Sequence, residues 1–196
     1  MTTSTARVRL QPDTRREQLL DLGVRLLSTR SLEELSIDLL AEEAGISRGL
    51  LYHYFGNKQD FHLAVVRRAV ADLLAQTAPP DLDDPLERLR AGEAAYLDYV
   101  VANHEGYLSL VKGAQGGNEA LREIYEETRA ALTERIFADP DGLVEDTPAA
   151  RLMVRGWAAL SEELVLDWVR DPHGVSREEL LDALTASLPA LVAVLP

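Results

Sequence analysis

The sequence predicts an all-α fold of about nine helices in two parts, a three-helix unit at the N-terminus and a larger helical body behind it. Three observations predict it. Apolar residues recur every three or four positions almost throughout, the period of a helix with one buried face. Proline, glycine and short polar residues fall where such segments must stop or start. No convincing strand pattern occurs anywhere. The chain has 196 residues, 46% hydrophobic and 27% charged, enough apolar surface to build a real core.

The elements follow in order. Residues 1–12, with Arg7 and Arg9, read as a flexible arm. The first helix is expected from about Asp13 to Thr29, with Leu19, Leu22, Leu26 and Leu27 on one face. Asp13 or Thr14 would cap it, accepting orphan backbone N–H bonds. Ser36 opens a second helix and Gly45 ends it, glycine tolerating the left-handed backbone of a C-cap. A short third helix spans about Ser47–Tyr54, and Asn57 caps a fourth from Lys58 to about Thr77. Ala78-Pro79-Pro80-Asp81 cannot continue it, because proline lacks the N–H and clashes with the preceding turn. A fifth helix starts after Pro85 and reaches about Asn103. His104-Glu105-Gly106 is expected to break the chain, with a short helix over Tyr107–Lys112 and a loop through Gly113, Gly116 and Gly117. Asn118 caps a helix to about Phe137, and a polar turn occupies residues 138–147. A long helix runs from near Pro148 to Asp171-Pro172. Ser176 opens the last one, with Glu179 placed for a capping box and Pro189 expected to end or kink it.

Composition narrows the function classes. There is no cysteine, so disulfides and thiolate chemistry are excluded and a reducing cytoplasm is the expected setting. The N-terminus lacks a signal peptide's apolar core, and no run approaches the ~20 residues of a membrane span. The net charge of −13 argues at first against a nucleic-acid partner. Its distribution argues otherwise. Residues 1–70 hold ten Arg/Lys against nine Asp/Glu, and residues 71–196 hold ten against twenty-four. Anionic DNA could approach only the first part.

That part carries a helix-turn-helix pattern over residues 36–58. Such a unit needs a tight turn, so that two short helices cross steeply and the second projects from the body. Gly45 supplies the turn, and Ile46, Leu51 and Phe55 anchor the second helix inward. Ser47, Arg48, Gly49 and Leu50 are left outward at its N-terminal end. They comprise a donor, a bidentate cation, a small residue permitting close approach and an apolar group able to meet a thymine methyl. Tyr52, His53, Tyr54 and Lys58 follow, and hydroxyls, an ammonium and free helix N–H groups suit phosphate. On this reading residues 13–60 bind double-stranded DNA and residues 61–196 form a second, helical domain.

The quoted run of Ser36, Ile37, Leu40-Ala41, Ala44-Gly45-Ile46-Ser47, Leu51-Tyr52-His53-Tyr54-Phe55, Asn57-Lys58 and Phe61 resembles the N-terminal motif of TetR-family transcriptional regulators. The resemblance spans about 45 residues. It implies that Arg48 and Gly49 sit at base-reading positions, and Ser36, Ser47, Tyr52, Tyr54 and Lys58 at backbone-contacting ones. Two positions depart from it. Asp38 stands where relatives carry a basic or neutral group, and an acid there should repel phosphate; Leu50 stands where relatives often have threonine.

The resemblance also implies a ligand-binding and dimerisation domain. Helix pairs like the last two, with Leu152, Met153, Trp157, Leu160, Leu164 and Trp168 in one and Leu180, Leu181, Leu184, Leu188 and Leu191 in the other, make a four-helix interface between two copies in the family. A homodimer would place two recognition helices about 34–36 Å apart, matching successive major grooves of a palindromic operator. The family's small-molecule pocket lies within helices five to eight. Tyr96, Tyr99, Val100, Asn103, His104, Tyr107, Leu108, Tyr125 and Trp157 are the candidates here for binding a small-molecule effector. Glu93, Asp98 and Glu105 lie near the first two tyrosines and would suit a cationic amphiphile, or form a solvated face. No catalytic set, metal-ligand spacing or phosphate-binding glycine loop is legible, so no enzyme activity, cofactor or metal is expected. The expected function is a ligand-released repressor. The alternative is a helical small-molecule- or partner-binding protein with a vestigial helix-turn-helix, which Asp38 and the acidic bulk would suit.

Overall fold

The computed structural model describes residues 12–138 and 142–195. Among them are nine α-helices and no strand. They are α1 (Pro12–Leu27), α2 (Ile37–Ala44), α3 (Arg48–Phe55), α4 (Lys58–Gln76), α5 (Pro85–Ala102), α6 (His104–Gln115), α7 (Glu119–Phe137), α8 (Pro148–Arg170) and α9 (Arg177–Val192). The arm expected over residues 1–12, with Arg7 and Arg9, lies outside the described residues except for Pro12, which opens α1.

Local chemistry sets most boundaries. Four N-cap side chains each accept an orphan N–H of the first turn, Ser36 from Leu39, Asn57 from Asp60, Asn118 from Leu121 and Thr147 from Ala150, whereas Asn103 before α6 makes no such bond. The expected capping box at α9 is formed, with Ser176 and Glu179 exchanging bonds. Gly45 takes φ 63° and ψ 37°, which turns the chain sharply between α2 and α3.

Three boundaries differ from the sequence reading. Helix α1 stops at Leu27 rather than Thr29, and the Ser28 hydroxyl turns back to donate to the Arg25 carbonyl at 2.8 Å. His104-Glu105-Gly106 does not break the chain; only Asn103 interrupts it, and α6 runs from His104 to Gln115. Both glycines taken for breakers serve close approach instead. Gly106 is buried against Leu27 of α1, where an added Cβ would lie 2.7 Å from Leu27 Cγ and 2.9 Å from its carbonyl oxygen. Gly113 lies against the Leu121 side chain of α7. Finally, α9 continues through Pro189 to Val192. The turn it forms there is closed by the Ala193 N–H on the Pro189 carbonyl.

The first core gathers Leu19, Leu26, Leu35, Leu40, Leu51, Phe55, Phe61 and Val65, and extends to Leu110 of α6 and Leu121 and Ile124 of α7. A second joins α5, α8 and α9 through Leu97, Val100, Val165, Leu181 and Leu184. A third lies around Val154, Trp157 and Leu188. Helix α4 therefore packs with the N-terminal helices and with the body. A second fastening is α6, where the Ser109 hydroxyl accepts the Leu32 N–H at 3.0 Å beside the Gly106–Leu27 contact.

Candidate functional site

The N-terminal site is built on α3. Leu51 and Phe55 are buried, and Phe55 stacks edge-on against Phe61 of α4. With that face anchored, Ser47, Arg48, Gly49, Tyr52 and His53 point outward, as does Lys58 at the start of α4. Ser36 and Ser47 use their oxygens as N-cap acceptors, which leaves each hydroxyl proton free to donate to a phosphate. No internal contact calls for glycine at position 49, since an added Cβ would meet nothing nearer than Ser47 Oγ at 4.0 Å. Leu50 and Tyr54 are half-buried, and Tyr54 packs against the first core. His53 lies edge-on to Tyr54 at 5.7 Å.

Asp38 acquires a partner the sequence did not suggest. Its carboxylate pairs with the Arg48 guanidinium, both side chains remaining mostly exposed. An exposed pair contributes only about 0–1 kcal/mol, so it holds Arg48 without committing it.

The second site is a cavity of about 160 Å³ bordered by α5, α6, α7 and α8, reaching the ends of α4 and α9. Of the candidate residues, Tyr96, Tyr107, Tyr125 and Trp157 line it. Tyr99 and Asn103 line a separate cavity of about 30 Å³ beside α1 and α4. Tyr99 donates its hydroxyl proton to the Ala69 carbonyl of α4 at 2.7 Å. Val100, His104 and Leu108 line neither: Val100 is wholly buried in the second core, and His104 sits at the start of α6 beside Glu105. Asp98, taken with Glu93 and Glu105 as a possible cation site, is engaged by Arg177 of α9. Of those three acids only Glu93 lines the large cavity.

A directed hydrogen-bond chain crosses this cavity. Tyr107 donates to Glu162 Oε2 at 2.9 Å, and Tyr125 donates to Glu162 Oε1 at 2.7 Å. Arg129 donates to the Tyr125 oxygen at 3.0 Å. The hydroxyls of Tyr96 and Tyr107 lie 2.8 Å apart. Tyr107 has spent its single proton on Glu162, so Tyr96 is the donor between them. Burial pushes all three phenols well above their ordinary range, Tyr125 to about 12. Burial likewise raises the Glu93 carboxyl to about 7.

Arg135 ties the cavity to α4. Its guanidinium donates to the Thr77 carbonyl at 2.7 Å, to Thr77 Oγ1 at 2.9 Å and to the Leu74 carbonyl at 2.6 Å, neutralising the negative end of the α4 dipole. Both Thr77 and Arg135 line the cavity. The sequence reading missed Glu162, Ser161, Arg129 and Arg135. A signal existed for the first two, which fall on the inward stripe of α8 between Trp157 and Val165.

Among the described residues no group of three or more His, Cys, Asp or Glu could hold a metal ion, and no helix is long and apolar enough to cross a membrane.

A helix-turn-helix with an exposed second helix, joined to a helical body with a mainly apolar cavity that carries a few polar groups, defines a class of DNA-binding regulators. Comparison with known proteins specifies it. Residues 19–65 match the family described as bacterial regulatory proteins, tetR family, and residues 85–191 match the tetracyclin repressor-like C-terminal domain. The chain belongs to the TetR family of transcriptional regulators. It is 25% identical over 179 residues to the HTH-type transcriptional activator FasR of Mycolicibacterium smegmatis, covering 89% of this chain and 81% of that one. It is similar to a crystal structure of a TetR-family transcriptional regulator from Streptomyces coelicolor, with 34% identity and a TM-score of 0.84 over 94% of this chain and 83% of that one. It shares its fold with AibR, crystallised in complex with isovaleryl coenzyme A and operator DNA, at 19% identity and a TM-score of 0.58 over 88% and 97% of the two chains.

Proposed function

We propose that this regulator acts as a ligand-released repressor, binding a palindromic operator as a homodimer in the cytoplasm and leaving it when a small molecule fills the cavity within α5–α8. The observation that carries the reading is the coupling of cavity to α4 through Arg135 and Thr77. On this reading residues 13–60 bind DNA and residues 61–196 sense ligand and dimerise. Helix α4 enters α3's packing core at one end and the cavity wall at the other, so a ligand that displaces Thr77 moves the reading helices. Such a ligand must favour the released arrangement, because equal affinity for both would shift nothing.

Within the DNA-binding part, Arg48 and Gly49, with Leu50, read base edges. Ser36, Ser47, Tyr52, His53, Tyr54 and Lys58 hold phosphates. Arg48→Ala is expected to cost about 1–3 kcal/mol per half-site on the operator and little on random DNA. Lys58→Ala weakens both alike and reduces the salt slope by about 1 per half-site. Electrophoretic shifts on operator and random duplexes across a salt series check both, and identical behaviour would refute this division of roles. Asp38→Asn removes a like charge from the phosphate face and releases Arg48; affinity for any duplex should rise roughly threefold. Unchanged or weaker binding would instead make Asp38 a positioner of Arg48. In transcription assays the bound operator lowers output and added ligand restores it, and an operator-dependent rise, as the name of FasR would suggest, overturns the repressor sign.

The dimer rests on an exposed stripe. Leu152, Leu160 and Leu164 of α8 are 71%, 43% and 39% exposed on one helix face, with Gly156 open between them. Ala183, Ala186 and Ala190 form an exposed small-residue stripe on α9. A second copy would cover both, the small residues admitting the leucines. Leu160→Glu is expected to convert dimer to monomer in light scattering and to lose operator binding at least ~10-fold; a variant that stays dimeric excludes this face.

A further inference from the structure

Five buried polar side-chain atoms among the described residues lack a hydrogen-bond partner: Arg68 Nε, Glu93 Oε2, Arg129 Nη2, Ser161 Oγ and Thr185 Oγ1. Three of them, on Glu93, Ser161 and Arg129, belong to residues lining the large cavity. Native interiors rarely leave such atoms unmatched, and a cavity where they collect is completed by what it binds.

Glu93 is the most demanding of the three. Its Oε2 is shut from solvent, the rest of the residue lines the cavity, and no hydrogen bond or ion pair reaches it from the described residues. Glu162, the other acid in the wall, already accepts one bond on each oxygen, from Tyr107 and Tyr125. The wall's cations are engaged elsewhere: Arg135 with the end of α4, Arg88 with the Leu82 carbonyl, and Arg129 with Tyr125 through Nη1. A bound carboxylate would therefore face two acids, with Nη2 of Arg129 and the Ser161 hydroxyl as the unmatched donors to meet it. A bound ammonium would meet an unmatched acceptor among the rings of Tyr96, Tyr107, Tyr125 and Trp157, whose faces attract cations.

The volume sets the scale of the part of that ligand held inside. A cavity of about 160 Å³ is close to the ~150 Å³ of an engineered apolar cavity that admits benzene. Leu89, Leu132, Ile136 and Leu143 give it an apolar end.

We propose that the cavity binds a small protonated amine with an apolar body, its N–H bonds completing the Glu93 carboxylate. This rests on the cavity being the effector site, and it specifies the chemistry that site selects. Its selectivity is for a charged N–H donor: a quaternary ammonium has no hydrogen for the orphan oxygen, and an alcohol has a hydrogen but no charge.

Four probes built on a six-carbon chain test it on the full-length protein by calorimetry: hexylamine, hexyltrimethylammonium, hexanoate and hexanol. Hexylamine is expected to bind at least ~10-fold tighter than each of the others. Glu93→Gln should lose at least ~10-fold for hexylamine and change hexanol, which offers one uncharged hydrogen bond, by no more than ~3-fold, which shows that the cavity remains intact. Tighter binding of hexanoate, equal binding of the trimethylated probe, no hexylamine binding, or a Glu93→Gln variant that binds hexylamine as the parent does would each overturn the proposal. A parallel operator shift separates the two readings. Hexylamine that binds through Glu93 yet leaves the operator complex intact supports the ligand chemistry and refutes the effector role. Hexanoate that binds and releases the operator does the reverse.

Discussion

Replacing Glu93 with glutamine is expected to stabilise the ligand-free protein at about pH 8 by roughly 2 kcal/mol, raising the melting temperature by about 4–8 °C. Burial raises the folded-state pKa from 4.5 to about 7. A carboxyl with a raised folded pKa binds its proton more tightly when folded. Its penalty is therefore absent below the unfolded value and grows as pH rises from 4.5 towards 7, levelling off above. The full span corresponds to about 3 kcal/mol, from which the amide's own unmatched polar atoms subtract. The other titratable or charged groups lining the cavity are Tyr96 and Arg88 on its own helix, Tyr107 on α6, Tyr125, Arg129 and Arg135 on α7, and Glu162 on α8. The phenols keep their protons across this window, because burial raises them further. Urea unfolding between about pH 5 and pH 8 should show stability falling with rising pH in the parent and a flatter profile in the variant. Superimposable profiles would mean that Glu93 is satisfied in solution.

Gly106→Ala has the second large effect and acts on a different joint. The new Cβ would sit 2.9 Å from the backbone oxygen of Leu27, which has no rotamer to escape into. Helices α1 and α6 must part by several tenths of an ångström, costing about 1–3 kcal/mol, less the ~0.5–1 kcal/mol that alanine gains over glycine in a helix. Because α1 belongs to the DNA-binding part, the shift also misplaces α3, and operator affinity should fall more than stability accounts for. Gly92→Ala in α5 is the control. Its Cβ would meet nothing within 4 Å, so the helical gain should appear alone. Thermal melts beside operator titrations check the pair. Equal melting temperatures and equal affinities for the two variants would show that the α1–α6 contact gives way freely.

These two residues also mark how far the sequence could be read. Caps at Ser36, Asn57, Asn118 and Ser176 and the turn at Gly45 were legible because each is decided by residues within four positions. Gly106 and Gly113 looked like breakers because their true partners, Leu27 and Leu121, are named only by the tertiary packing. The outward face of α3 could be derived from the spacing of Leu51 and Phe55, but not the pairing of Asp38 with Arg48 across the turn. In the cavity the aromatics were legible by type and helix. Glu162, Ser161 and Arg129 were passed over because polar residues in acidic helices read as solvated surface until the neighbouring helices close over them.

The chain of bonds through Tyr96, Tyr107, Glu162, Tyr125 and Arg129 ties α5, α6, α8 and α7 together with every proton pointing toward one carboxylate. Such a belt has no reversible middle. A guest can extend it at either end, and the ends are unlike: the Tyr96 oxygen can only accept, while Nη2 of Arg129 can only donate. The cavity therefore has a built-in polarity: a molecule matches both ends of the belt only when its donor lies toward Tyr96 and its acceptor toward Arg129.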